Sequence, residues 1–316
     1  MRINKSVSCP HCSSSQKKLL FVAHDLMFHL PGNFRINTCL NCGLTFIGNA
    51  PKPEDLEKYY PKMRYYSYRD QEEGGFFGAL RSYLLQHYYK PTLLSRFISI
   101  VIHNVPAIPT YHMNGKIFDI GCGTGGTLIA LRKLGWETYG VDIDTKTIKI
   151  AKTNGVEHAY VGTYQKLASF PDNFFDAVRL YHVIEHLYHP GDCLRLIRKK
   201  LKKNGELIIG TPNSDSLVSK IFGKFWYNLD APRHLVLFNP KNLELAVRKY
   251  GFSVQKTEFC SAGGILGSLG YFFSEKFQRN VSFLANQWLV ILVYPIEWIL
   301  DKLSLGDVFV ARARKA

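Results

Sequence analysis

The chain has 316 residues, 46% of them hydrophobic, which allows one large domain with a smaller companion and excludes a disordered chain. Forty Lys and Arg oppose 25 Asp and Glu, a formal charge of +15. This excess suits an anionic partner such as nucleic acid, anionic lipid or a phosphorylated substrate, and its even spread along the sequence does not choose among them.

Residues 1–12 lack the apolar core of a secretory signal, so the cysteines are expected to be reduced thiols in the cytoplasm. Four of the seven form two pairs, Cys9-Pro-His-Cys12 and Cys39-Leu-Asn-Cys42, with 26 residues between the pairs. Each C-x₂-C turn points both thiolates at one spot, and two such turns complete a tetrahedral zinc site. Gly43 follows the second pair, where the turn favours positive φ. A closed shell of Cys9, Cys12, Cys39 and Cys42 leaves no open position, so this zinc is expected to be structural. Residues 1–50 then form a zinc-ribbon-like module, too small to fold without such a staple. His11 is expected to be a bystander. A redox role for the pairs lacks the surrounding βαβ pattern.

Residues 51–112 read as a helical cap or linker. Pro51 and Pro53 break the chain, Glu54–Tyr60 has the look of a short helix, and Tyr65, Tyr66 and Tyr68 precede a Gly74-Gly75 break. A helical run is predicted from Phe76 to about Ile102, closed by Pro106 and Pro109. The aromatic cluster serves either packing or a lid over the domain that follows.

Residues 113–316 alternate strand and helix, as a parallel sheet requires. Lys116–Ile120 is a predicted buried strand and Thr127–Leu134 a predicted helix, with the glycine-dense turn Gly121-Cys122-Gly123-Thr124-Gly125-Gly126 between them. Glycine tolerates positive φ and lets a ligand approach the backbone, and the helix start presents free N–H groups. Asp119 lies two residues before the first glycine, so a carboxylate is expected to point into the turn, where it would favour a cation over a pyrophosphate. The next strand, Glu137–Val141, ends in Asp142, placed to accept both hydroxyls of a ribose. Together these features suit S-adenosylmethionine. Phe118–Gly126 and Gly140–Asp142 resemble the first two motifs of the class I S-adenosylmethionine-dependent methyltransferases. The resemblance implies an α/β, Rossmann-like sheet with helices on both faces and methyl transfer as the activity. It also implies a cofactor held by Asp119, Gly121, Cys122, Gly123, Asp142, Ile143, Gln165 and Tyr181. Many relatives carry an acid after the glycine matching Gly162; here it is Thr163, so Gln165 or backbone groups are expected to take the adenine contact.

Further on, helix Thr145–Asn154, strand His158–Val161, loop 162–173, strand Phe175–Tyr181, helix Asp192–Leu201 and strand Glu206–Gly210 are predicted. Helix Pro240–Tyr250, strand Phe252–Phe259 and strand Asp307–Ala313 complete the sheet.

His182-Val-Ile-Glu185-His186-Leu187 leaves the tip of the fourth predicted strand of this domain, on the edge where such sheets bind ligands. The segment resembles a branch of small-molecule and sugar-pathway methyltransferases, with Asp230-Ala-Pro-Arg233-His234 and Trp226 as the substrate wall. In one reading His182, His186 or His234 is a general base for an acceptor hydroxyl. In another, His182, Glu185, His186 and His234 hold a divalent cation that acidifies that hydroxyl. In the third, Glu185-His186 only orients the loop. Methyltransferases of ubiquinone precursors and of small-RNA ribose ends carry a similar Glu-x-x-Glu-His pattern, whose first acid is replaced here by His182. The expected acceptor is a small molecule, a sugar, or a lipid-linked glycan or quinone-type precursor. An RNA acceptor read by the zinc ribbon is the alternative, disfavoured by the lack of an Asn-Pro-Pro-Tyr or paired-cysteine catalytic motif. The apolar insertion 261–304 is either a hairpin in the membrane interface, reached from the cytoplasmic side, or a lid or dimer face; neither run is a clean spanning helix.

Overall fold

The computed structural model describes residues 8–61, 76–101, 107–110, 114–261, 263–284 and 286–316. The expected aromatic cluster at Tyr65–Tyr68, the Gly74-Gly75 break, Ile102 and Pro106 lie outside the described residues.

The chain opens with β1 (Lys17–Ala23), β2 (Phe34–Cys39) and β3 (Thr45–Ile47), followed by helices α1 (Pro53–Leu56), α2 (Phe76–Gln86) and α3 (Leu93–Val101). Strand and helix then alternate through β4 (Lys116–Ile120), α4 (Gly126–Lys133), β5 (Glu137–Asp142), α5 (Thr145–Thr153), β6 (His158–Val161), β7 (Phe175–Tyr181), α6 (Pro190–Lys200) and β8 (Leu201–Pro212). The rest is α7 (Leu217–Phe222), β9 (Val236–Leu237), α8 (Pro240–Lys249), β10 (Phe252–Phe259), α9 (Gly264–Phe277), α10 (Gln287–Lys302) and β11 (Val308–Lys315).

Seven strands form the main sheet in the order β10-β11-β8-β7-β4-β5-β6. β4 through β8 run parallel, whereas β11 is antiparallel to both β8 and β10. Ile117, Phe118, Val178, Leu180, Leu207 and Ile209 are all buried, as a parallel sheet covered on both faces demands. Because the five parallel strands share one direction, their carboxyl ends line one edge. Local signals set the helix starts: Asp144 accepts from Thr147 N–H at 2.8 Å, and Asn239 and Asn242 form a reciprocal capping box. The run expected as one helix from Phe76 to about Ile102 is two, α2 and α3, broken over residues 87–92 where Pro91 has no N–H to give a helix. Several other boundaries shift by a residue or more, two of them for clear reasons. α6 begins two residues early because Pro190 needs no N–H partner in a first helical turn. β8 begins at Leu201, since Leu201 pairs with Phe175 before residues 202–205 bulge outward and pairing resumes at Glu206.

A second sheet, β1-β2-β3-β9, joins the front of the chain to the core. Thr45 and Phe46 of β3 pair with Leu237 and Val236 of β9. Cys9, Cys39, Leu44 and Phe46 share one apolar cluster with Phe238, Leu243 and Val247. The cysteine module is therefore packed as a wall of the larger domain.

Candidate active site

At the tip of β4 the chain turns sharply. Gly121 has φ 74° and its N–H donates to Val141 O at 2.8 Å; a Cβ there would collide with Val183. Gly123 also lies in the left-handed region, at φ 55°, but a Cβ on it would meet no atom. That open space is a cradle. The Gly123 N–H donates to Asp142 Oδ2 (3.1 Å) and the Asp144 N–H to Oδ1 (3.0 Å), so two backbone donors fix the carboxylate at the tip of β5. Beside it Ile143 is 70% exposed, an apolar side chain left open at a strand tip. Cys122 is buried behind the turn and Tyr181 half-buried, while Gln165 is exposed on the turn capped by Thr163. A cradle, an oriented carboxylate and an apolar flank fit an adenosine-bearing cofactor.

Asp119 departs from expectation. Its carboxylate does not open into the turn: it is 1% exposed and accepts two hydrogen bonds from Arg179 Nη1, at 2.9 and 2.8 Å. Asp119 and Arg179 are register partners on adjacent parallel strands, so their side chains share a face. Arg179 also donates through Nε to Ala107 O (2.8 Å) and lies 4.8 Å from the Tyr181 ring centre. Burial pushes the Asp119 carboxyl up, and the guanidinium works against it. An arginine in the middle of the apolar run 175–181 was the signal that this charge is answered within the protein.

The segment expected on the acceptor side sits at the tips of β7 and β8. His182 holds a left-handed φ of 53° while its N–H donates to Gly210 O at 2.9 Å. Its Nδ1 lies 3.1 Å from Glu185 Oε1. Glu185 is fully buried, and its other oxygen accepts from the Thr211 hydroxyl at 3.0 Å. Burial raises the Glu185 pKa, but the His182 hydrogen bond and the charges of the three histidines outweigh it, bringing the group down to about 2.

His186 Nδ1 lies 3.0 Å from Arg233 O and 2.9 Å from the Tyr60 hydroxyl. A carbonyl only accepts, so Nδ1 carries the proton and Nε2 keeps its lone pair. His234 repeats the arrangement, with Nδ1 2.8 Å from Asn228 O and a buried Nε2 that has no hydrogen-bond partner among the described residues. Asp230 Oδ2, 3.8 Å from that nitrogen, is likewise buried and has no hydrogen-bond partner among the described residues. Glu185, His186 and His234 each bring a ligating atom within 4.8 Å of the others. Burial and the neighbouring His234 lower His186 to about 4. All four expected acceptor-side residues thus meet, with His182 bonded to Glu185 and outside the ligating trio.

Asp230 and Arg233 were read from the sequence only as part of the substrate wall, and Asp25, Tyr60 and Thr211 were not read as site residues. Arg233 is fully buried and donates to Asp230 (2.8 and 2.5 Å), to Asp25 (3.1 and 2.7 Å) and to Tyr59 O (3.0 Å). Asp25 belongs to the cysteine module, whose only signal here was an acid in an aromatic loop.

In that module Cys9 and Cys42 Sγ lie 3.6 Å apart and Cys12 and Cys39 Sγ 3.5 Å apart, all four within ligating reach of one point. The two turns close alike: Ser13 N–H donates to Cys9 O and Gly43 N–H to Cys39 O, each at 2.9 Å, with φ 61° at Ser13 and 72° at Gly43. Four soft sulfur donors fit structural zinc. His11 stands outside the four-thiol group, its carbonyl accepting from Lys249 Nζ at 3.3 Å.

The strand order, the antiparallel β11 inserted beside β8 and the glycine cradle at the carboxyl edge define a Rossmann-like α/β fold. The sequence profile of the family described as "Methyltransferase domain" matches residues 93–257, and the chain belongs to that family. Among curated relatives, the ubiquinone biosynthesis O-methyltransferase of Xanthomonas oryzae pv. oryzae (strain PXO99A) is 28% identical over 103 residues, 31% of this chain and 43% of that protein. The protein of the same name from Caulobacter sp. (strain K31) is 35% identical over 103 residues, 31% of this chain and 41% of that one. The chain therefore spans less than half the length of either relative. Similar solved structures include a SAM dependent methyltransferase from Archaeoglobus fulgidus (24% identity, TM-score 0.47, covering 74% of this chain and 99% of that one). Another is a possible histamine N-methyltransferase from Thermotoga maritima (20% identity, TM-score 0.45, 76% and 96% covered).

Proposed function

We propose that the protein transfers a methyl group from S-adenosylmethionine to a hydroxyl oxygen of a small-molecule, sugar or lipid-linked acceptor, a quinone-type precursor being the nearest chemical example. The observation that carries this reading is the Glu185–His186–His234 cluster, on the same sheet edge as the Gly121–Gly123 cradle. The relatives named as O-methyltransferases support oxygen over nitrogen or carbon.

The cradle and Asp142 orient the cofactor, Ile143 flanks its base, and Gln165 and Tyr181 border the same edge. Asp119 acts through Arg179 to hold the turn. The sulfonium carries its own leaving group, so alignment and exclusion of water supply most of the acceleration. His186, held near pKa 4, is a weak base at neutral pH. The cluster is better suited to a divalent cation held by Glu185, His186 and His234, which would make the acceptor hydroxyl more acidic. The backbone carbonyls of Arg233 and Asn228 orient the two imidazoles for that task. The four cysteines hold structural zinc, which suits a reducing cytoplasm.

Incubation with methyl-labelled cofactor and cell extract split into lipid, glycan and RNA fractions tests the reading. Label in the lipid or glycan fraction, lost in Glu185→Gln, supports it. Label in RNA would transfer the acceptor to nucleic acid, and failure to bind S-adenosylhomocysteine would remove the cofactor assignment.

A further inference from the structure

α10 buries two carboxylates beside Leu300 and turns an apolar stripe outward. Its inward face carries carboxylates. Glu297 accepts from the Gly263 and Ile265 N–H groups at 3.0 and 3.3 Å. Asp301 accepts from the Ser261 N–H and hydroxyl at 2.7 to 3.0 Å. Both acids are buried. The outward face carries Trp288, Leu292, Ile296, Ile299 and Leu303, which recur at helical spacing as one stripe. Each of the five is at least half exposed, Trp288 at 80% and Leu292 at 71%. Phe272 and Phe277 of α9 continue the exposed apolar surface.

The charges around this stripe have one predominant sign. In the stretch 263–304 the exposed charged residues are Lys276, Arg279 and Lys302 against Glu275 alone, and Glu275 is paired with Lys224 at 2.9 Å. An apolar stripe within a basic rim is complementary to an anionic bilayer surface, where acyl chains take the stripe and headgroup phosphates the cations. Among the described residues no helix is long and apolar enough to cross a membrane. At 16 residues α10 is about 24 Å long, short of the roughly 30 Å hydrocarbon core.

We infer that the α9–α10 hairpin docks the protein on anionic membranes, with α10 lying in the headgroup plane. The hairpin also adjoins the acceptor side. Tyr227 N–H donates to Ser268 Oγ of α9 at 3.0 Å, and the Tyr227 and Tyr271 rings are 5.4 Å apart. One residue past Tyr227, Asn228 orients His234. Docking would bring an acceptor with a lipid tail to this wall, a point that rests on the proposed methyl transfer; the docking itself does not.

Flotation of the full chain with phosphatidylcholine vesicles, with and without phosphatidylglycerol, tests the docking. Co-flotation is expected to require the anionic lipid and to weaken with salt. The double substitution Trp288→Glu and Leu292→Glu should reduce it by roughly tenfold or more while an unchanged circular dichroism spectrum and thermal unfolding midpoint check the folding. Should that variant misfold, Lys276→Glu with Lys302→Glu leaves the stripe intact and should still weaken flotation severalfold. Absence of flotation, or flotation indifferent to both variants, overturns the inference. So does a dimer in light scattering that the apolar substitutions dissolve without any vesicle binding, because a second copy would then cover the stripe. None of these readouts involves methyl transfer, so failure of docking and failure of the enzymatic reading are separable.

Discussion

The two halves of the carboxyl edge are built differently. The cofactor half comes almost entirely from one continuous run, Phe118 to Ile143, held by backbone bonds such as Gly121 N–H to Val141 O. The acceptor half gathers Tyr60, residues 182–186, Thr211 and residues 228–234, and is clamped by Asp25 from the front of the chain. A turn made by neighbours in sequence fails alone. A site made by distant segments fails with whatever holds those segments together.

The largest expected effect breaks the cofactor half without touching the other. Gly123→Val forces a β-branched residue into a left-handed conformation and fills the open cradle. Calorimetry should show S-adenosylhomocysteine binding weakened by about a hundredfold or more. The flotation of the protein should not change. Retained affinity would mean that the cofactor lies elsewhere.

Arg233→Met strikes the acceptor half. Removing the guanidinium leaves Asp25 and Asp230 buried beside each other, a loss of about 3–5 kcal/mol for a broken buried pair. Urea unfolding should show this loss. Asp25→Asn in the Arg233→Met background should recover part of it, because one of the two stranded charges is then gone. A loss below about 1 kcal/mol would show that the clamp is not a structural tie.

Chelation of the zinc proposed for the four cysteines, or Cys39→Ser, should then separate the halves most sharply. β3 pairs with β9, and Asp25 holds Arg233, whose carbonyl orients His186. Methyl transfer should therefore fall by about tenfold or more while S-adenosylhomocysteine affinity changes by no more than about threefold. Equal loss of both would mean that the cysteine module supports the whole fold rather than the acceptor side.

A smaller effect appears in acid. Burial pushes the Asp230 carboxyl up, yet the charge of Arg233, followed by that of His234, outweighs it, so the folded value lies below the ordinary 3.8. A lowered folded pKa gives stability that is present above 3.8 and lost as pH falls through the folded value. Unfolding free energy measured from neutrality downward should acquire an acid limb in that range. Asp230→Asn should flatten it.

The same contrast governs what could be read from sequence. The buried parallel strands at the centre of the main sheet were legible because they are short apolar runs closed by turns, as at Ile117–Ile120. The cradle was legible because its glycines and Asp142 sit within one motif. The Arg179–Asp119 pair was not, since nothing in a linear string says which residues are register partners across two strands. His182, Glu185, His186 and His234 could be proposed as a group from their chemistry. Asp25 could not, because it lies 208 positions from Arg233 and the β3–β9 pairing, with the packing around it, brings them together.

The smallest predicted change concerns Tyr60, whose hydroxyl is 2.9 Å from His186 Nδ1. That nitrogen already donates to Arg233 O at 3.0 Å, so the tyrosine oxygen can only share the same proton as a second acceptor. Such a shared bond is worth about 0.5–1.5 kcal/mol. Tyr60→Phe should then lower kcat/KM by roughly two- to tenfold, with cofactor affinity unchanged. A loss above about a hundredfold would require Tyr60 to exchange a proton with the acceptor itself. The acceptor half would then draw a reacting group, and not merely a support, from the segment ahead of the methyltransferase sheet.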